Sequence, residues 1–98
     1  MEIIKTLNNA ELTIALKGEL NSVTAPELEA VITSSLNGVK TLIFDFADLS
    51  YISSAGLRIL LVSKKVMDKQ GEMIVRHSND EVMEIFEITG FKNILNLE

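Results

Sequence analysis

Leu12, Ile14 and Leu16 alternate with Thr13, Ala15 and Lys17, the period of a strand that lays one face on a core. Ile3 to Thr6 reads as a strand before it and Asn8-Asn9 as turn material, so the chain opens on a hairpin. Gly18 to Ser22 then reads as a loop. The pattern next becomes helical. Thr24 and Glu27 have capping-box spacing, Val23 and Leu28 staple spacing, and Pro26 suits a first turn. Leu28, Val31, Ile32 and Leu36 give one apolar face, and Gly38 ends it.

Lys40 to Phe46 reads as a strand whose run Leu42-Ile43-Phe44 is buried on both faces, and the chain then enters a long helix from Ser53 to Gln70. Leu57, Ile59, Leu60, Leu61, Val62 and Val66 predict a wide buried stripe on it. Lys64, Lys65 and Lys69 gather at its C-terminal end, where cations suit the dipole and read as a solvated helix end, and Gly71 closes it. Glu72 to Arg76 is a further strand. Ser78 and Glu81 predict a second capping box, opening a helix with Val82, Ile85 and Phe86 inward and Gly90 at its end. Ile94 to Leu97 is a short last strand or an apolar tail on the core. Strands alternating with helices predict an α/β fold: a single domain over 1–98, a mixed, mostly parallel sheet of four to five strands, and an antiparallel first strand.

The junction between the third strand and its helix draws the chemistry to itself. With Ser53 as N-cap, its side chain is expected to accept from the Gly56 N–H, and Ile52 and Leu57 take the staple positions. Ser54 is then the first helical residue, with its hydroxyl free at the positive end of the helix. Gly56 costs helix stability, which either room for a partner's backbone or close packing on the domain's own loop would explain.

Composition narrows the possibilities. The 98 residues hold no cysteine and a single histidine, His77, which removes disulfides and thiolate chemistry and makes a histidine metal site improbable. A formal charge of −5 disfavours nonspecific binding to nucleic acid or anionic lipid. No stretch has the length of a membrane span or the pattern of a signal peptide, so the expected location is cytoplasmic. In an open α/β sheet, sites form at the carboxyl ends of the strands, which here gathers the 18–24 loop, Asp45, Asp48, Ser53, Ser54 and His77. Asp45 and Asp48 read as solvated loop acids. Ser54 and Gly56 match half of a Gly-x-Ser-x-Gly hydrolase elbow, but Ile52 stands where its first Gly belongs, and His77 would have to be the base. No Gly-rich phosphate loop is present, which weakens a nucleotide-binding reading.

Asp48-Leu49-Ser50-Tyr51-Ile52-Ser53-Ser54-Ala55-Gly56-Leu57 resembles the signature of STAS domains, particularly bacterial anti-sigma factor antagonists, which reads roughly Asp-Leu-Ser-aromatic-apolar-Asp-Ser-Ser-Gly-Leu. Leu16 to Asn21, Gly71 to Val75 and Val82 to Phe91 fit in order, so the resemblance covers nearly the whole chain. It implies a regulator without catalytic residues, metal or cofactor. Unphosphorylated, it would bind an anti-sigma factor that is a serine kinase of the histidine-kinase-type ATPase fold. Phosphorylation of the serine two before the Gly, here Ser54, would end that binding, and a serine phosphatase would restore it. Ser53 is a minor alternative acceptor. The implied contact surface is Leu20, Asn21, Ser22, Val23 and Thr24 with Tyr51, Ser53, Ala55, Gly56, Leu57 and Arg58. Ser53 and Asn21 stand where the family has acids. The alternatives are a STAS subunit of another assembly, such as a lipid-transport ATPase or a stress-signalling complex, and, more remotely, a small serine hydrolase.

Overall fold

In the computed structural model, which describes residues 1–98, the elements follow the expected order: β1 (Glu2–Asn8), β2 (Glu11–Leu20), α1 (Ala25–Ser35), β3 (Thr41–Ile52), α2 (Ser54–Asp68), β4 (Glu72–Arg76), α3 (Asp80–Thr89) and β5 (Asn96–Leu97). The sheet order is β1-β2-β3-β4-β5, with β1 antiparallel to β2 and the other pairs parallel. Strands added always on the same side through crossovers of one hand place their helices on one face of the sheet. The core agrees: the inward residues Leu12, Ile14, Leu16, Leu42, Phe44, Met73 and Val75 form one cluster with Leu28 and Ile32 of α1, Leu57 and Leu60 of α2, and Val82 and Phe86 of α3. Ile43 and Ile74 are buried but lie outside that cluster, on the other face.

The main departure from expectation lies in β3, which runs six residues past Phe46 to Ile52, while β2 continues through Gly18 to Leu20 beside it. The pairs Ala15↔Asp45 and Lys17↔Asp48, then Gly18↔Leu49 and Glu19↔Tyr51, each leave one extra residue on β3. These two bulges set the buried residues Phe46, Leu49 and Ile52 three apart instead of two, and all three stay in the core. A strict two-residue period would have turned one of them to solvent, which is why this stretch does not read as strand. Side chains hold the irregular backbone: Asp45 Oδ1 accepts from the Ala47 N–H at 3.0 Å, and the unpaired Ser50 donates its hydroxyl to the Gly18 carbonyl at 3.0 Å.

The helix starts also differ from expectation. Thr24 is N-cap of α1 without capping it; its Oγ1 accepts from the Asn21 N–H (2.9 Å) and donates to the Glu19 carbonyl (2.8 Å). Asn21 orders the turn ahead of the helix, its Oδ1 accepting from the N–H groups of Val23 and Thr24 at 3.0 and 3.1 Å. The expected Val23–Leu28 staple does not form, since Val23 is 84% exposed. In α3 the cap is Asn79 and not Ser78: Asn79 Oδ1 accepts from the Val82 N–H at 2.8 Å and its Nδ2 donates to the Leu49 carbonyl at 3.1 Å, tying α3 to the bulged part of β3. On α2 the buried stripe is narrower than predicted. Val62 and Val66 are exposed because α1 lies beside α2 without closing over them, leaving a groove lined by Ile32, Thr33, Leu36, Val62 and Val66.

Candidate functional site

Parallel pairing brings the carboxyl ends of β2 and β3 side by side, Leu20 opposite Ile52, so the turn into α1 and the turn into α2 leave the sheet together. The Ser53 N–H donates to the Leu20 carbonyl at 2.8 Å and joins the two turns. Gly56 fits because of what lies under it: a Cβ there would stand 2.7 Å from Leu20 Cγ and 2.8 Å from Ile52 Cγ1. Of the two reasons the sequence offered for this glycine, close packing on the domain's own residues is the one the geometry supplies.

That packing sorts the residues of the expected contact surface. Leu20, Gly56 and Leu57 are buried in the domain's own core. Ser22, Val23, Tyr51, Ser54 and Arg58 are exposed, and Asn21, Thr24, Ser53 and Ala55 are partly so. The Asn21 Oδ1 and the Thr24 hydroxyl are spent on the turn itself. Val23, which the sequence placed against Leu28, is an apolar group standing in solvent on the turn that leaves β2.

The two serines divide as expected in position but not in bonding. Ser53 is the N-cap of α2 in an extended conformation, yet its hydroxyl makes no capping bond to the Gly56 N–H and lies buried without a hydrogen-bond partner. Its backbone does the anchoring, the carbonyl accepting from the Leu57 N–H at 3.0 Å. A serine N-cap exchanged for alanine ordinarily costs ~1 kcal/mol. Ser53→Ala removes an unpaired buried oxygen instead, so urea unfolding is expected to show no loss beyond ~0.5 kcal/mol. A full capping loss would show that the hydroxyl bonds after all. Ser54 is exposed, and its hydroxyl is not among the serine hydroxyls that the fold engages, which belong to Ser34, Ser35, Ser50 and Ser63.

The acids of the carboxyl edge part company with the serines. Asp45 is not a solvated loop acid: it lies half-buried in β3, 3.0 Å from Nδ1 of His77, which holds a left-handed backbone just past β4. The hydrogen bond from His77, with the Ala47 N–H adding to it, lowers the Asp45 carboxyl below its usual 3.8 against the opposing effect of burial. A carboxyl lowered in the folded state stabilises above its ordinary value, and that contribution disappears as pH falls through the lowered one. Asp45→Asn should therefore lose stability at neutral pH but show a shallower decline below about pH 4, read from urea midpoints across pH. Parallel curves would disprove the linkage. The pair also stands far from Ser54. β2 advances five residues from Ala15, opposite Asp45, to Leu20, about 16 Å at strand rise, so the hydrolase triad of Asp45, His77 and Ser54 is not assembled. Asp48 is an exposed strand residue opposite Lys17.

The sequence matches the STAS domain family over residues 2–98. BtrV of Bordetella bronchiseptica, named provisionally as an anti-sigma factor antagonist, is 41% identical over 85 residues, covering 85% of this chain and 73% of BtrV. The anti-sigma-B factor antagonist of Staphylococcus aureus is 27% identical over 99 residues, covering 99% of this chain and 92% of its own. Among solved structures, an anti-sigma factor antagonist from Mycobacterium paratuberculosis superposes with a TM-score of 0.89 at 22% identity, over 98% of this chain and 83% of that one. The Bacillus cell fate determinant SpoIIAA in its phosphorylated form does so at 0.78 and 20% identity, over 99% and 91%. At such identities the structures speak for the fold, while the match along nearly the whole sequence speaks for kinship. This chain belongs to the STAS domain family, alongside proteins named as anti-sigma factor antagonists.

Proposed function

We propose that the protein is an anti-sigma factor antagonist working by partner switching in the cytoplasm, with Ser54 as its phosphorylated residue. Unmodified, the face formed by Asn21 to Thr24, Tyr51, Ser53, Ala55 and Arg58 binds an anti-sigma factor that is also a serine kinase of the histidine-kinase-type ATPase fold. Phosphate on Ser54 ends the contact, and a serine phosphatase renews it. The protein is then a substrate of the kinase and not itself an enzyme.

The observation that carries this reading is the contrast between the neighbours: the Ser54 hydroxyl is exposed at the first position of a 15-residue helix, while the Ser53 oxygen is enclosed. An exposed hydroxyl can enter a kinase; an enclosed one cannot without local opening. The names of the relatives support the same reading. Incubation with the organism's anti-sigma kinase and ATP is expected to add the mass of one phosphate to wild type and none to Ser54→Ala. An unchanged gain in Ser54→Ala, with loss in Ser53→Ala, would move the acceptor to Ser53. Stable binding without any gain would favour a STAS subunit of another assembly.

A further inference from the structure

Arg58 is the one charged side chain on the proposed docking face, and the geometry points to it as the receptor for a phosphate on Ser54. The inference rests on that residue being the acceptor. Ser54 and Arg58 are the first and fifth residues of α2, four apart and both exposed, so they lie on one face of the helix. Long helical side chains readily lean back over the preceding turn, so a group added to Ser54 is within reach of the Arg58 guanidinium. An acid four residues before a base is also the favourable order of such a pair. A guanidinium presents a planar fork of donors, and a phosphoserine presents three acceptor oxygens with a charge of about −1.5 to −2.

Arg58 is uncommitted in the unmodified protein. The ion pairs of the chain are Lys64–Asp68, Arg76–Glu98, His77–Asp45 and Lys92–Glu87, and Arg58 enters none of them. Glu29 lines the same groove between α1 and α2 without pairing to it. The face therefore offers a partner one free cation, which suits a carboxylate on the partner. Phosphorylation adds an anion and, by this pairing, also withdraws that cation. The formal charge of the face passes from about +1 to between about −0.5 and −1.

The test installs phosphoserine at position 54 during synthesis, so that no kinase is needed, and follows the phosphorus NMR shift against pH in wild type, Arg58→Lys and Arg58→Ala. The second phosphate pKa is expected to be lowest in wild type and roughly 0.15–0.4 higher in Arg58→Ala, with Arg58→Lys between them. Lys65→Ala, a change of the same charge near the far end of the helix, should leave the midpoint in place. The attraction any anion feels at a helix start is common to all of these variants and cancels. Equal midpoints in wild type and Arg58→Ala, or a Lys65→Ala shift as large as that of Arg58→Ala, would overturn the assignment. Because the phosphate is placed chemically, failure here leaves the acceptor question untouched, and a kinase that ignores Ser54 leaves this titration readable.

Discussion

Gly71→Ala is expected to destabilise the fold by about 3 kcal/mol or more, lowering the thermal midpoint by about 12–24 °C. The substitution looks harmless. Gly71 is exposed, its backbone is not left-handed, and at such positions alanine commonly stabilises by ~0.4–1 kcal/mol through the unfolded state. The obstacle comes from far away in sequence: an alanine Cβ would stand 1.8 Å from the Lys40 carbonyl oxygen. That oxygen cannot easily yield. It accepts from the Glu72 N–H at 2.9 Å, and the Lys40 N–H is itself held by the Ala10 carbonyl at 2.8 Å, so moving it disturbs the starts of β3 and β4 together. Gly38→Ala serves as the control, because nothing lies within 4 Å of its Cβ position and only its positive φ of 81° is penalised, by about 1–2 kcal/mol. A midpoint for Gly71→Ala at or above that of wild type would refute the close approach.

Phosphoserine at 54 is expected to weaken binding of the anti-sigma partner at least ~30-fold, while Ser54→Ala binds within a few-fold of wild type. The reason is desolvation. A hydroxyl entering an interface gives up little, whereas the charge that Arg58 leaves unbalanced on the phosphate costs about 2–5 kcal/mol when enclosed there, and each ~1.4 kcal/mol is a factor of ten. The fold itself should hardly respond, because Ser54 is exposed and a helix start tolerates negative charge. Calorimetric titration measures the affinity and circular dichroism the fold. Equal affinity for the two forms would sink the switch, and a lost fold would assign it to unfolding instead of docking.

Local signals carried far in this chain. The alternation of Leu12, Ile14 and Leu16, the apolar run at 42–44, the helical periods and the glycine and proline marks gave the element order, the hairpin and the mostly parallel sheet, because each depends on near neighbours. The Ser53–Ser54 junction was legible for the same reason: a helix start is written in a few consecutive residues. Errors arose where a polar side chain found a partner that spacing alone does not show, near or far. Val23 left its staple because the Asn21 side chain and the Glu19 carbonyl organise that turn differently. Asn79 displaced Ser78 as a cap because Leu49 offers its amide a second bond.

By itself, the order of residues determined which segments are strands and helices, where the long helix begins and which serine stands first in it, since backbone geometry and capping act over a turn or less. Only the tertiary structure decided that β3 bulges twice to reach Ile52, that Leu20 and Ile52 fill the space under Gly56, that Gly71 must lack a side chain, and that Asp45 answers to His77 and not to the serines. Those outcomes depend on which atoms meet across the sheet, and a contact between residues thirty apart leaves no periodic trace in the chain.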